Sequence, residues 1–136
     1  MKRKRWVLPG IAIVALAVAW FALNRPGRFG LAVFGFTTYN SIPWPGVDLQ
    51  VRPDGTSRRV EKTHELSAND IAWLVESDPE TLILTEGWRG AVRVPEELRH
   101  QQGLDVRVLR TPDALRLFNQ LRAAGTRVAI HVHSTC

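Results

Sequence analysis

The sequence predicts an α/β sandwich, with helices packed on a central sheet, preceded by one membrane-spanning helix. Two observations support this prediction. Segments typical of strands and of amphipathic helices alternate along residues 47–132. Ahead of them lies an uncharged run of 19 residues, from Trp6 to Asn24, with basic residues on both sides.

The N-terminal run has the length of a membrane span. At ~1.5 Å rise per residue it forms a helix of roughly 28 Å, close to the thickness of the hydrocarbon core of a bilayer. Four basic residues precede it and two follow: Lys2, Arg3, Lys4, Arg5, Arg25 and Arg28. The positive-inside rule then predicts a cytoplasmic N-terminus and a periplasmic, or otherwise extracytoplasmic, domain.

A cleaved signal peptide is the alternative interpretation of this run. Ala15-Leu16-Ala17 and Ala17-Val18-Ala19 both fit the small-x-small pattern that signal peptidases cleave. The uncharged run continues beyond both sites, whereas a signal peptide usually stops being apolar near its cleavage site. The pattern therefore favours a retained anchor, and both interpretations stay open at this stage.

The charge distribution separates the anchor from the rest of the chain. The whole chain carries a formal charge of +5, but residues 1–28 hold six of its 18 basic residues and none of its 13 acidic ones. The other 108 residues therefore hold 12 basic and 13 acidic side chains, a net charge of −1. The globular part has no electrostatic reason to bind nucleic acid. We divide the chain into an N-terminal anchor, residues 1–28, and one α/β domain, residues 29–136.

The first half of the domain predicts strands and one helix. The apolar segment 31–36 indicates a strand or a continuation toward the membrane, and Pro43-Trp44-Pro45-Gly46 indicates a turn. Apolar and polar residues alternate over 47–51, which predicts a half-buried strand with a hairpin turn after it. Ser67 and Asp70 have the spacing of a capping box, so we expect a helix to begin there and to end at Asp78-Pro79.

The second half predicts alternating strands and helices. Residues 81–85 form a buried strand, and Pro95 begins a helix that ends at Gly103. After a strand at 104–109, Thr111 caps a helix whose Asn119 is expected to fix a neighbouring loop by hydrogen bonds. Residues 127–132 form the last strand. Because helices join the strand at 104–109 to its neighbours, part of the sheet is predicted to be parallel.

The loop after the buried strand is the first candidate ligand site. In open α/β sheets ligands bind beyond the carboxyl ends of the strands, which is where this loop lies. Arg89 is suited to hold an anion and Trp88 to stack on a ring, with Thr85 and Gly87 beside them. The alternative is a tight turn that simply requires its two glycines.

The C-terminal group His131, His133 and Cys136 is the candidate metal site. Imidazole and thiolate are good zinc ligands, and alternate residues of a strand share a face. Two alternatives remain: the histidines finish a strand at the edge of the sheet, or Cys136 and a histidine form a nucleophile pair. The sequence predicts no cofactor.

Several segments resemble the Mth938-like domain family, which includes an assembly factor of mitochondrial complex I. The matching pieces, which run through most of residues 39–136, are Asp48–Gly55, His64-Glu65-Leu66, Leu82–Gly90, Thr111-Pro112-Asp113-Ala114, Phe118-Asn119-Gln120-Leu121 and His133-Ser134-Thr135-Cys136. The resemblance implies a three-layer α/β domain with a mixed sheet and without an established catalytic set.

The sequence therefore predicts a membrane-anchored, non-catalytic interaction or assembly module. It would bind the membrane through residues 6–24 and a protein partner at the membrane surface. The alternative is a small ligand- or metal-binding enzyme domain that uses the loop at residues 85–90 or the C-terminal His/Cys group.

Overall fold

The computed structural model describes residues 4–136, with side chains from residue 5 onward; the predicted basic residues Lys2 and Arg3 lie outside this range. Its elements follow in the order α1 (Lys4–Leu23), β1 (Phe29–Val33), β2 (Phe36–Tyr39), β3 (Ile42–Pro45), β4 (Asp48–Val51), β5 (Ser57–Val60), α2 (Ala68–Val75), β6 (Thr81–Thr85), α3 (Glu96–Arg99), β7 (Asp105–Leu109), α4 (Thr111–Ala123) and β8 (Val128–Val132). The predicted α/β class with a preceding apolar helix is confirmed.

A five-stranded mixed sheet forms the centre of the domain. Its strand order is β5-β4-β8-β6-β7. The central strand β8 and the outer strand β7 both run parallel to β6, as predicted for strands joined by helices. β4 runs antiparallel to β5 and to β8, which makes the sheet mixed, as the family resemblance implies.

Separate apolar layers cover the two faces of this sheet. In β6, Ile83 packs in the layer that α4 and the first two strands complete, whereas Leu82 and Leu84 pack in the layer under α2 and α3. Since neighbouring residues of one strand point to opposite faces, the continuous apolar run of β6 is explained by burial on both sides.

A second, three-stranded antiparallel sheet, β1-β2-β3, precedes the large one. The apolar segment 31–36 is split into two strands by a turn at Phe34-Gly35, where Gly35 takes the left-handed φ of +79°. The predicted turn at Pro43-Trp44-Pro45-Gly46 is wrong for its first three residues, which belong to β3, whereas Gly46 does lie in a turn. β3 is an edge strand, and an edge strand accommodates prolines because their missing N–H groups break no ladder.

The small sheet is attached to the domain through α4. The rings of Phe29 and Phe118 contact edge to face with centroids 5.1 Å apart, and Tyr39 lies 4.9 Å from Phe29. Asn119 on α4 donates to the carbonyl of Phe29 and accepts from its N–H, at 2.8 and 2.9 Å. The predicted hydrogen-bonding role of Asn119 is therefore confirmed, but its partner is the strand β1 and not a loop.

The helix beginnings match the sequence better than the helix ends. The predicted capping box is present, because Asp70 N donates to Ser67 Oγ and Ser67 N donates to the Asp70 carboxylate. The predicted helix from Pro95 to Gly103 is wrong in length, since α3 ends at Arg99. Leu98 is its one buried residue, so a second turn would have no apolar surface to cover.

Candidate functional site

The polar residues of the core gather where β8 ends and β4 begins. β4 runs antiparallel to β8, so Asp48, the first residue of β4, lies beside the chain that leaves the end of β8. β6 ends alongside at Thr85, because it runs parallel to β8. The topology therefore brings Asp48, Thr85, His131 and His133 to one region of the sheet, where all four are buried.

Asp48 is the buried anion of this region. Its side chain is 2% exposed and accepts hydrogen bonds from His133 Nδ1 at 2.9 Å, Ser134 N at 2.9 Å and Lys62 Nζ at 3.1 Å. Burial by itself raises the pKa of Asp48, but the hydrogen bonds from His133 and Ser134, with the help of Lys62, outweigh it and hold the pKa well below its usual value. Asp48 is therefore a carboxylate at neutral pH.

His131 is held neutral by its surroundings. Its Nδ1 lies 2.8 Å from Gln50 Nε2, an amide nitrogen that also donates to the carbonyl of Asp70 at 2.6 Å. The oxygen of the same amide accepts from Arg58 Nε, which fixes the orientation of the amide. Because Gln50 presents a donor, His131 Nδ1 accepts and the ring proton is on Nε2. Burial lowers the pKa of His131 to about 3.

His131 lies in β8 and His133 one residue beyond its end, and their ring centroids are 4.6 Å apart. The Nε2 atoms of both rings are buried and have no hydrogen-bond partner within residues 4–136. The alternative that placed these histidines at a sheet edge is wrong, because β8 is the central strand. Each residue has lost nearly all contact with solvent, at 1% exposure.

Cys136 Sγ contacts Thr135 and His64 rather than His131 or His133. Its Sγ is 3.9 Å from His64 Nδ1 and 3.7 Å from Thr135 Oγ1, while His133 Nδ1 is engaged by Asp48. Among residues 4–136, no group of three or more His, Cys, Asp and Glu side chains has the arrangement of a metal site. Metal binding by His131, His133 and Cys136 stays a prediction without support from this geometry.

The loop at residues 85–90 holds the last residues of the chain. Thr85 Oγ1 accepts from His133 N at 2.7 Å, Trp88 N donates to the carbonyl oxygen of Thr135 at 3.2 Å, and Arg89 N donates to Cys136 O at 2.7 Å. The backbone donors that an anion would use are thus engaged by residues 133–136. Trp88 Nε1 is buried and has no hydrogen-bond partner among the described residues. Arg89 is exposed, with its guanidinium 5.2 Å from the Phe34 ring. Ligand binding by Thr85, Gly87, Trp88 and Arg89 stays a prediction.

Gly87 is where a side chain would disturb this loop most. Its φ is +85°, and an added Cβ would lie 2.7 Å from Thr135 O and 2.8 Å from Cys136 C. We expect Gly87→Ala to destabilise the chain by about 1 kcal/mol for the left-handed φ and about 1–3 kcal/mol more for the clash. Gly103→Ala is the matched control, since Gly103 has a φ of +76° but open space around it. Equal losses in urea unfolding would contradict the proposed packing.

Thr111 was predicted to cap α4, and this prediction is wrong. Arg110 occupies the N-cap position without a side-chain hydrogen bond, and Thr111 Oγ1 instead donates to the carbonyl of His133 at 2.7 Å. His133 thus has its N–H bonded to Thr85, its carbonyl bonded to Thr111 and its ring bonded to Asp48. This arrangement fixes the end of β8 to three other parts of the fold, β6, α4 and β4.

The hydrogen-bonding groups of this site contact residues of their own chain. A general acid or base must come within hydrogen-bond distance of a reacting group. In this structure His131 and His133 are buried, and Asp48 accepts its hydrogen bonds from the protein. These contacts pair buried polar groups with one another and specify the alignment of β4, β8 and the C-terminal segment.

Sequence reasoning missed Asp48, Gln50 and Lys62. The predicted half-buried strand over 47–51 has an alternating pattern, but all four residues of β4 are buried because both faces of the sheet are covered at this strand. Two polar residues in a strand of a small domain were the available signal, since buried polar groups need partners. The partners are His133 for Asp48 and His131 for Gln50.

Comparison with known proteins places the chain in a family. The model of a family of proteins of unknown function, DUF498/DUF598, matches residues 31–133. The solved structure of MT938 is 28% identical, with a TM-score of 0.70, and the match covers 80% of this chain and 98% of MT938.

Two further solved structures support the fold. An outer membrane protein from Bartonella henselae is 23% identical, with a TM-score of 0.68, and the match covers 82% of this chain and 98% of that protein. A Bordetella pertussis protein described as a Mth938-like domain is 20% identical, with a TM-score of 0.53, and the match covers 82% of this chain and 85% of that protein. The chain belongs to the DUF498/DUF598 family and has the Mth938-like fold.

Proposed function

We propose that this protein is a membrane-anchored, non-catalytic interaction or assembly module. Residues 1–28 form the anchor, and residues 29–136 form the α/β domain that meets a protein partner at the membrane surface. The domain lies on the extracytoplasmic side, in keeping with the greater number of basic residues before the apolar run. Confinement to a bilayer raises the effective concentration of the domain near other membrane proteins.

The exposure of α1 is the observation that carries the proposal. Arg5–Leu23 is long and apolar enough to cross a membrane, with a mean hydropathy of 2.3, and none of it is buried within the protein. Trp6 is 82% exposed and Leu16 71%. An apolar surface of this size needs a cover, and a bilayer supplies one along the full length of the helix. A signal sequence has the same composition, so retention of the helix needs a separate argument.

The end of α1 supports retention, because it is built into the domain. Asn24 is fully buried, and its side-chain oxygen accepts from Leu31 N at 2.7 Å. Trp20 Nε1 donates to the carbonyl of Ser41 at 3.1 Å. Cleavage after Ala17 or Ala19 would leave Phe21 and Leu23 as exposed apolar residues at a new N-terminus, at 56% and 68% exposure.

The closed polar network supports a non-catalytic role, since its titratable groups are sealed or saturated. The resemblance to a family that contains an assembly factor points in the same direction, as an analogy. The Bartonella henselae relative is an outer membrane protein, but its likeness supports the fold alone, and α1 carries the membrane argument here. The alternative, a small ligand-binding enzyme domain, is favoured by the free indole N–H of Trp88 beside the exposed Arg89.

Membrane fractionation of the intact protein tests the anchor. We expect the chain in the membrane fraction, resistant to carbonate and released by detergent, with an intact mass that includes residues 1–19. Val14→Asp combined with Leu16→Asp should move it out of the membrane fraction, since a carboxylate at the centre of a span costs about 3 kcal/mol. Val75→Asp, at an exposed apolar residue of α2, should have no such effect. Wild-type protein in the soluble fraction, or a chain that begins at Val18 or Trp20, would contradict the anchor.

The same membranes test the interaction. After solubilisation in detergent, capture of the full chain from cells at native expression should bring down a protein partner in a constant ratio. Recovery of the chain alone, together with a small molecule or metal in stoichiometric amount, would favour the alternative.

A further inference from the structure

The turn between β2 and β3 lies at the depth of the last turn of α1. Trp20 Nε1 donates to the carbonyl of Ser41 at 3.1 Å, and Ser41 Oγ donates to the carbonyl of Asn24. Trp20 precedes Asn24 by four residues, which is about 6 Å along a helix axis. The turn formed by Asn40 and Ser41 therefore does not stand beyond the end of the apolar helix but lies beside it.

Four polar groups of this turn are paired within the protein. Asn40 Oδ1 accepts from Gly27 N at 2.7 Å, and Asn40 N donates to the carbonyl of Arg28 at 3.0 Å. Ser41 uses both its hydroxyl and its carbonyl in the bonds to α1. A backbone turn survives in a poorly hydrated layer when its polar groups are satisfied internally, because unpaired groups there cost several kcal/mol. The bonded groups of Asn40 and Ser41 are satisfied internally in this way.

The side chains next to the turn are apolar and exposed. Ile42 is 52% exposed at the start of β3, and Leu31, whose N–H is bonded to Asn24 at the end of α1, is 49% exposed. Residues 29–47, which contain the whole small sheet, include no charged side chain. Arg25 and Arg28 immediately precede this sheet and are exposed, at the level where an apolar span would reach lipid phosphates.

We propose that the β2–β3 turn, with Ile42 and Leu31 beside it, is immersed in the interfacial layer of the bilayer, next to the end of α1. This inference rests on the proposed membrane anchor and adds a second lipid contact to it. The partner of this surface is the lipid itself. The immersed turn and the bonded helix end together fix the orientation of the domain, so that a defined face of the α/β domain meets neighbouring membrane proteins.

Depth-dependent fluorescence quenching tests the inference in the full chain. Cys136→Ser removes the one native thiol, and Ile42→Cys then carries a small environment-sensitive probe. The protein is reconstituted in phosphatidylcholine–phosphatidylglycerol vesicles that contain lipids with a nitroxide either near the head group or deep in the acyl chain. Leu31→Cys is a second variant, Val14→Cys reports on α1, and Val75→Cys is the matched control, because Val75 is an exposed apolar residue on the other side of the large sheet.

We expect the probe at Ile42→Cys to lose more fluorescence to the shallow nitroxide than to the deep one, with the reverse order at Val14→Cys and no loss at Val75→Cys. Quenching at Val14→Cys without quenching at Ile42→Cys and Leu31→Cys would overturn the inference and leave the anchor in place. Absence of quenching at Val14→Cys as well would instead overturn the proposed anchor.

Discussion

Replacement of Asp48 by alanine is expected to lower the free energy of unfolding of the full chain by about 3–5 kcal/mol. The substitution leaves the buried His133 Nδ1–H and Ser134 N–H without their acceptor and removes the partner of Lys62. Unpaired donors at a site with this degree of burial cannot recover their bonds from water. Urea unfolding in detergent micelles, followed by tryptophan fluorescence, measures the loss.

Two further variants distinguish the loss of buried hydrogen bonds from the loss of a negative charge. Asp48→Asn keeps an oxygen that accepts from the N–H of Ser134. Its amide NH2 can donate to His133 Nδ1 when that ring takes its other tautomer. We therefore expect an intermediate loss in the free energy of unfolding. Asp113→Ala removes an exposed carboxylate that pairs with Arg116, and such pairs contribute little. The expected order of destabilisation is Asp48→Ala, Asp48→Asn, Asp113→Ala. Equal effects of the first and the last would show that the buried carboxylate does not organise the fold.

Local sequence patterns predicted those elements whose cause is local. The capping box at Ser67 and Asp70 depends on residues three apart, and the buried strand at Thr81–Thr85 depends on an uninterrupted apolar run. Both are present in the structure. β3 was missed because its prolines are turn formers in most contexts, and their tolerance here depends on a strand at the edge of a small sheet.

The polar network depends on partners distant in the sequence, which is why it could not be predicted. Leu49 pairs with Val132, and this pairing places Asp48 beside His133 and Gln50 beside His131. The spacing of the two histidines did predict a shared face. The polar residues at 48 and 50 are a signal of buried polar groups but do not identify their partners. A Thr-Pro-Asp segment predicts an N-cap whether or not the hydroxyl has a better acceptor elsewhere.

His131 should make the stability of this protein depend on pH between about 6.5 and about 4. Burial keeps its pKa near 3 in the folded chain, whereas an unfolded histidine titrates near 6.5. Between these values the unfolded chain binds more protons, so the free energy of unfolding falls as pH falls. Asp48 affects stability only at lower pH. Because its pKa is lowered in the folded chain, its contribution to the free energy of unfolding is intact above about pH 4 and is lost only in stronger acid. The charged or titratable groups that act on His131 are His133, Asp48, Asp70 and Arg58.

His131→Gln isolates this effect, because it removes one titrating group and leaves all the others in place. For the wild-type chain we expect a slope of up to about 1.4 kcal/mol per pH unit from His131, or about 3 kcal/mol between pH 6.5 and pH 4. The variant should lose that part of the slope, whatever its stability at neutral pH. Val75→Ala, which removes no titrating group, should keep the wild-type slope. Urea unfolding across this pH range decides the matter, since parallel curves for wild type and His131→Gln would mean that the buried ring takes up its proton without unfolding the chain.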